Sequence, residues 1–416
     1  MSLLIRNLAQ LATPEGTRAM RGPAMRLIRV VESAAIVIRD GRFVYAGAER
    51  DLPPALRGTI TDEVDARGGT ALPGFVDSHT HLPFAGARES EFNRRLSGET
   101  YEQIAASGGG IASTVKATRA ASEGDLAKLT HARTLRMAAH GTTTAEAKSG
   151  YGLNLDDELK QLRAIRAASA TSPVRLVPTC LAAHEIPPEA RGSAAAREAY
   201  VREVVERIQP AAAREGLARF CDVFVERGVY SRDEGERILR AGAANGLVPR
   251  IHADELSDTG GASLAAETGA ASADHLMHVS DEGIRALAAS ETIANLLPAT
   301  SLFLMSERFA PARALIDASA AVSLSTDCNP GSSMTESMQL VVQLACLRMK
   351  MTVEEALCAA TLNGAASLGL APETGSIESG KRADMMILDA PSYLHLVYHF
   401  GVNLVTGVWR DGVRVV

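Results

Sequence analysis

The sequence predicts an α/β protein, a TIM-like (β/α)8 barrel with a small β-sandwich domain built from both chain ends. Three observations predict it. Short apolar runs alternate with Ala-rich segments of helical period through the middle of the chain. The two ends share another texture, with β-branched and polar residues alternating around Asp-Gly turns. Residues able to bind metals close several of the apolar runs.

Residues 1 to about 68 contain LIRVVESAAIVIRDGRFVYAGA, and the last stretch contains RADMMILD and GVNLVTGVWRDGVRVV. Alternation broken by an Asp-Gly pair is the signal of a two-residue hairpin. Because domain termini often lie close together, the two ends can share one domain of residues 1–68 and 376–416, leaving 69–375 as the catalytic domain. In that middle region the candidate strands are ALPGFVDSH, TTTAEAKSG, VRLVPTCLAA, FCDVFVE, LVPRIHA, SADHLMH, TIANLLP and AVSLSTD. The segments between them, such as DELKQLRAIRAASA and AAAREAYVREVVERI, carry apolar residues at i, i+3 and i+4. Eight strand–helix units over about 300 residues point to a closed barrel; the rival is a doubly wound open sheet, which periodicity alone does not exclude.

With 416 residues, 46% hydrophobic and 22% charged, the chain can bury a large core. Its formal charge of −6, with acids and bases interleaved, excludes the basic footprint of a nucleic-acid binder. No apolar stretch approaches the ~20 residues that span a bilayer. The opening MSLLIRNLAQLATPEG lacks the pattern of a signal peptide, so a cytoplasmic location is expected. Cys180, Cys221, Cys328, Cys346 and Cys358 have no CxxC spacing and read as free thiols, mostly small buried hydrophobes.

His79-Thr80-His81 follows the run LPGFVDS directly. Residues i and i+2 of a strand share a face, so both imidazoles project the same way at the strand's C-terminal end, the catalytic mouth of a barrel. His252 and His275 sit in or at the end of later strands, and Asp327 ends another. Each alone could be a hydrogen-bonded histidine or a helix cap. Together, all at strand ends, they read as a metal constellation. GGGIAS lacks the GK[ST] of a phosphate loop and reads as a loop entering a helix.

The PGFVDSHTH strand, the single histidine on a middle strand, the aspartate on the last strand and the C-terminal GSIESGKRADMMILD resemble the amidohydrolase superfamily over nearly the whole chain. That resemblance implies one Zn2+ or Fe3+ per chain, held by His79, His81, His252 and Asp327. Members with two metals bridge them through a lysine on the fourth strand; here FCDVFVE offers Glu226 instead, and Lys148 lies on the second strand, which implies a single ion. HTHLPFAGARESEFNRRLSGETYEQIAASGGGIASTVKATRAAS, with EAKSGYGL, AAHEIP, HADELSD and STDCNPG, is similar to the imidazolonepropionase family in particular.

The family's substrate contacts fall on Arg88, Tyr101, Tyr151, His184, Glu255, Asn329, Gly331 and Ser332, the last a serine in place of a threonine. The implied activity is hydrolysis of the ring amide of 4-imidazolone-5-propanoate to N-formimidoyl-L-glutamate, a step of histidine degradation, by a metal-activated water. Glu255, His275 and Asp327 are the implied acid–base residues, and a homodimer is implied. An Arg at position 88 suits a carboxylate tail, because guanidinium presents a planar fork of donors. The rival activity is deamination of a cyclic amidine or nucleobase, which would release ammonia. A non-catalytic scaffold would have lost metal ligands, and all four are present.

Overall fold

The computed structural model describes residues 2–99, 103 and 109–416. Strands β1 (Ser2–Pro14), β2 (Ile28–Arg39), β3 (Arg42–Ala48), β4 (Asp62–Asp65) and β5 (Thr70–Pro73) open the chain. The barrel strands follow as β6 (Phe75–Asp77), β7 (Thr142–Lys148), β8 (Arg175–Ala183), β9 (Phe220–Val225), β10 (Val248–Ala253), β11 (Ser272–His275), β12 (Ile293–Leu296) and β13 (Val322–Leu324). Then come β14 (Met385–Leu388), β15 (Val405–Arg410) and β16 (Val413–Arg414).

All eight middle runs form strands, and β6 to β13 are parallel neighbours in sequence order. Helices separate them, and local sequence explains where several begin. Ser231 and Thr352 accept the amide hydrogens of Glu234 and Glu355, whose side chains return the bond. The barrel closes through the stretch just past the first strand. Thr80 bridges Cys328 in parallel, the His81 amide donates to the Cys328 carbonyl, and the Asp327 amide donates to that of His79. The closed seam excludes the open doubly wound sheet.

The two ends supply one separate sheet, ordered β16-β15-β14-β5-β1-β2-β3, with β4 also paired to β1. Asp40, Gly41, Asp411 and Gly412 all have positive φ, as two-residue hairpin turns demand. The turns abut: a Cβ on Gly41 would lie 2.9 Å from the Asp411 carbonyl oxygen. The run ALPGFVDSH, expected as one barrel strand, is divided at Gly74. Thr70–Pro73 pairs with β1 and β14 in the terminal sheet, and only Phe75–Asp77 joins the barrel. A Cβ at Gly74 would meet Thr143 Cγ2 at 2.3 Å, so the crossing between sheets is too tight for any side chain.

Gly110 leads into the helix Ile111–Ala120, as expected of GGGIAS. All five cysteines are free, with Cys180, Cys221, Cys328 and Cys358 buried. Among the described residues no helix is long and apolar enough to cross a membrane.

Candidate active site

The closing seam places His79, His81 and Asp327 side by side, because it pairs the chain after β6 with the chain after β13. His79 Nε2 and His81 Nε2 each lie 3.4 Å from Asp327 Oδ1 and 3.3 Å from each other. His252 Nε2, from β10, lies 3.5 Å from His81 Nε2. Ligands at ~2.0–2.1 Å around one ion stand ~3.3–3.4 Å apart in a tetrahedral arrangement, so these separations suit an ion shared by His79, His81 and Asp327, with His252 adjoining through His81.

The outer nitrogens support the same fit. His79 Nδ1 is 2.8 Å from Asp274 Oδ2, and His252 Nδ1 is 3.0 Å from Asp222 Oδ1. A carboxylate only accepts, so both Nδ1 atoms carry a hydrogen and both Nε2 atoms face inward, where an ion would take the place of any proton on them. Burial and Lys148 oppose a positive charge on His79, yet Asp274 and Asp327 outweigh them and raise its pKa to about 9. The donor set attracts a cation. The His and Asp residues here thus include groups able to hold a metal ion.

The same centre opens into a cavity of about 530 Å3 lined by Arg88, Tyr151, His184, Glu255, His275, Asn329, Gly331 and Ser332, among others. Tyr101 lies outside the described residues. Arg88 donates through Nε to Glu91 at 2.8 Å. Its Nη1 rests against Gly331, where an added Cβ would approach to 2.3 Å. Gly331 therefore makes room for the guanidinium. Asn329 accepts from the amides of Gly331 and Ser332 and donates to the Asp327 carbonyl and the Ser332 hydroxyl, which fixes the loop after β13. Tyr151 and His184 meet edge to face with ring centres 5.3 Å apart, and His184 stacks on His81 at 4.8 Å.

Glu255 and His275 line the same cavity, with His275 Nε2 3.6 Å from Glu255 Oε2 and a His275 ring nitrogen within 4.8 Å of those of His79 and His252. Burial, with Asp327 and Glu226 nearby, pushes the Glu255 carboxyl up to about 8. Burial pulls His275 down to about 4, so its ring is neutral at pH 7. His275 and Asp327 hold φ of 80° and 56°, left-handed values that side chains adopt at a cost and that cluster at working sites.

Several residues at the site escaped the sequence reading. Asp222 and Asp274 orient two of the histidines; the available signal was an acid inside an otherwise apolar strand in FCDVFV and an acid directly before His275 in SADH. Thr300 donates to Asp327 Oδ2 at 2.8 Å and carried no signal. Glu226, considered only in place of a bridging lysine, accepts from the amides of Leu256 and Ser257 and from the Ser257 hydroxyl, which pins the turn bearing Glu255.

Residues 70–415 match the amidohydrolase family. The chain is 49% identical to an imidazolonepropionase of Symbiobacterium thermophilum, covering 100% of this chain and 97% of that protein. It is 50% identical to one of Myxococcus xanthus, covering 100% and 98%. In fold it is similar to a crystal structure of an adenosine deaminase from Xanthomonas campestris with bound zinc, at a TM-score of 0.71 and 20% identity over 99% of this chain and 92% of that one. The chain belongs to the amidohydrolase family and, within it, to the imidazolonepropionases.

Proposed function

We infer that this protein is a hydrolase that opens the ring amide of 4-imidazolone-5-propanoate to give N-formimidoyl-L-glutamate. The observation that carries the reading is one cavity in which a metal-type donor set, an arginine and a raised carboxyl converge. One Zn2+ or Fe3+ ion, held by His79, His81, His252 and Asp327, would supply Lewis acidity toward water and the ring carbonyl.

The chain's own residues do the rest. Arg88 takes the propionate, with Asn329, Gly331 and Ser332 shaping the wall beside it. Tyr151 and His184 hold the flat ring by edge and face, beside His81 on the cavity side. Asp327 orients the attacking water, and neutral His275 accepts a hydrogen bond or proton from it. Water adds to the ring carbonyl carbon, the carbon–nitrogen bond breaks, and Glu255, protonated at neutral pH, gives the departing nitrogen its proton. The reading extends to a cytoplasmic homodimer, which rests on family resemblance and which sedimentation of the purified chain checks. Mixing the protein with the substrate should remove its ultraviolet absorbance without releasing ammonia. Ammonia release would assign the chain to deaminases instead.

A further inference from the structure

Beneath the histidines the barrel interior seals in five charged side chains: Glu146 and Lys148 of β7, Asp222 of β9, Arg250 of β10 and Asp274 of β11. Lys148 Nζ lies 2.6 Å from Asp222 Oδ2, 2.8 Å from Glu146 Oε2 and 3.7 Å from Asp274 Oδ2. Arg250 Nε lies 3.1 Å from Glu146 Oε1 and Nη2 lies 3.7 Å from Asp274 Oδ1. Its Nη1 and Nη2 also donate to the carbonyls of Ser367 and Ser78, which anchors the guanidinium to the barrel wall.

Such a cluster is a poor stabiliser, since apolar residues of the same volume often serve a buried position as well or better. Its wiring gives it another use. Asp222 offers Oδ2 to Lys148 and Oδ1 to His252; Asp274 offers Oδ2 to His79 while Oδ1 faces Arg250. The Asp222 and Asp274 oxygens lie within 4.8 Å of one another, and two unscreened carboxylates so close would repel.

We propose that Lys148 and Arg250 are positioning residues of the metal centre: they hold Asp222 and Asp274 together as carboxylates, and so fix His252 and His79 with Nε2 toward the ion. The proposal rests on the single-metal reading above. Burial disfavours charge on Lys148, but Asp222 and Glu146 outweigh it and keep the ammonium above its ordinary pKa. A cation thus stands behind the histidines that would hold the ion, linked to His252 and His79 through Asp222 and Asp274.

Lys148→Met keeps the stem and its volume but removes the charge. The test is titration of the metal-free protein with Co2+, read by its visible absorption, followed by competition with Zn2+. Lys148→Met should bind about 10–100-fold more weakly, the usual cost of disturbing the partners of metal-bound histidines, and its cobalt spectrum should change. In an Asp222→Asn background the same substitution should cost clearly less, because the link it breaks is already gone. Parental affinity and spectrum in Lys148→Met would overturn the proposal, as would equal losses in both backgrounds. If Lys148→Met does not fold, Lys148→Met with Glu146→Gln removes one charge of each sign and carries the same comparison: weakened binding supports the proposal and parental binding overturns it. A parent chain that binds no Co2+ at all would instead sink the metal-centre reading itself.

Discussion

The terminal sheet buries Ile5, Leu8, Leu11, Ile36, Phe43, Met385 and Trp409 against one another, while the barrel interior at comparable depth buries Glu146, Lys148, Asp222, Arg250 and Asp274. In the first, each of these side chains gains from leaving water. In the second, each charge loses its hydration and is retained only because a partner of opposite sign stands within reach. The turns differ likewise. Asp40-Gly41 and Asp411-Gly412 use positive φ where a hairpin needs it, whereas His275 and Asp327 spend it on aiming a functional side chain. One sheet is built for stability and the other holds costly groups in place for chemistry, with the helices and strands around it bearing the cost.

The largest separation should come from His81→Ala. Turnover and metal content should both vanish, while circular dichroism and the unfolding transition stay close to the parent, since the barrel core lies elsewhere. Full activity in a metal-free preparation would break the contrast outright.

Next is Glu255→Gln, which keeps shape but cannot exchange a proton. Its kcat should fall roughly 10²–10⁴-fold with metal content unchanged. The sign of the pH effect follows from the raised carboxyl. Glu255 holds its proton below about 8 and loses it as pH rises through that value, so the parent kcat/KM should decline there. In Glu255→Gln that alkaline decline should be absent. Near-normal kcat in the variant would move the proton transfer to His275 or Asp327.

Arg88→Ala should lower kcat/KM for the propionate substrate at least about tenfold, from a charge-assisted bond worth ~1.5–3 kcal/mol. Arg88→Lys should recover only part, because an ammonium cannot present two parallel donors. An imidazolone bearing methyl in place of propionate should be turned over equally poorly by parent and Arg88→Ala. Equal damage to both compounds would mean that Arg88 serves the loop around Gly331 rather than the substrate.

The smallest effect on chemistry belongs to the terminal sheet. Trp409→Ala should cost about 3–5 kcal/mol of stability, seen as a lower Tm, while kcat/KM per folded molecule stays at the parent value. A large loss of kcat/KM there would show that the two sheets are coupled more closely than their separate cores suggest.

The eight barrel strands, the hairpins at both ends and the metal-type residues were legible in the sequence because each is a local signal: an apolar run, an Asp-Gly pair, a histidine where a strand ends. What periodicity could not supply was the path between sheets at Gly74, since the apolar run ALPGFVDSH gives no sign that its two halves find different partners. Closure likewise belongs to tertiary structure alone. Asp327 and His79 are far apart in the chain and become neighbours only because the stretch after β13 pairs with the stretch after β6. The charged floor is of the same kind. Asp222 looks like a lone polar interruption of an apolar strand, while Lys148, Arg250 and Asp274 share their strands with other polar residues, and no spacing rule links four different strands. Their meaning depends on which ions face each other across the barrel, and burial, which makes an unpaired charge costly, lets the folded chain alone decide that.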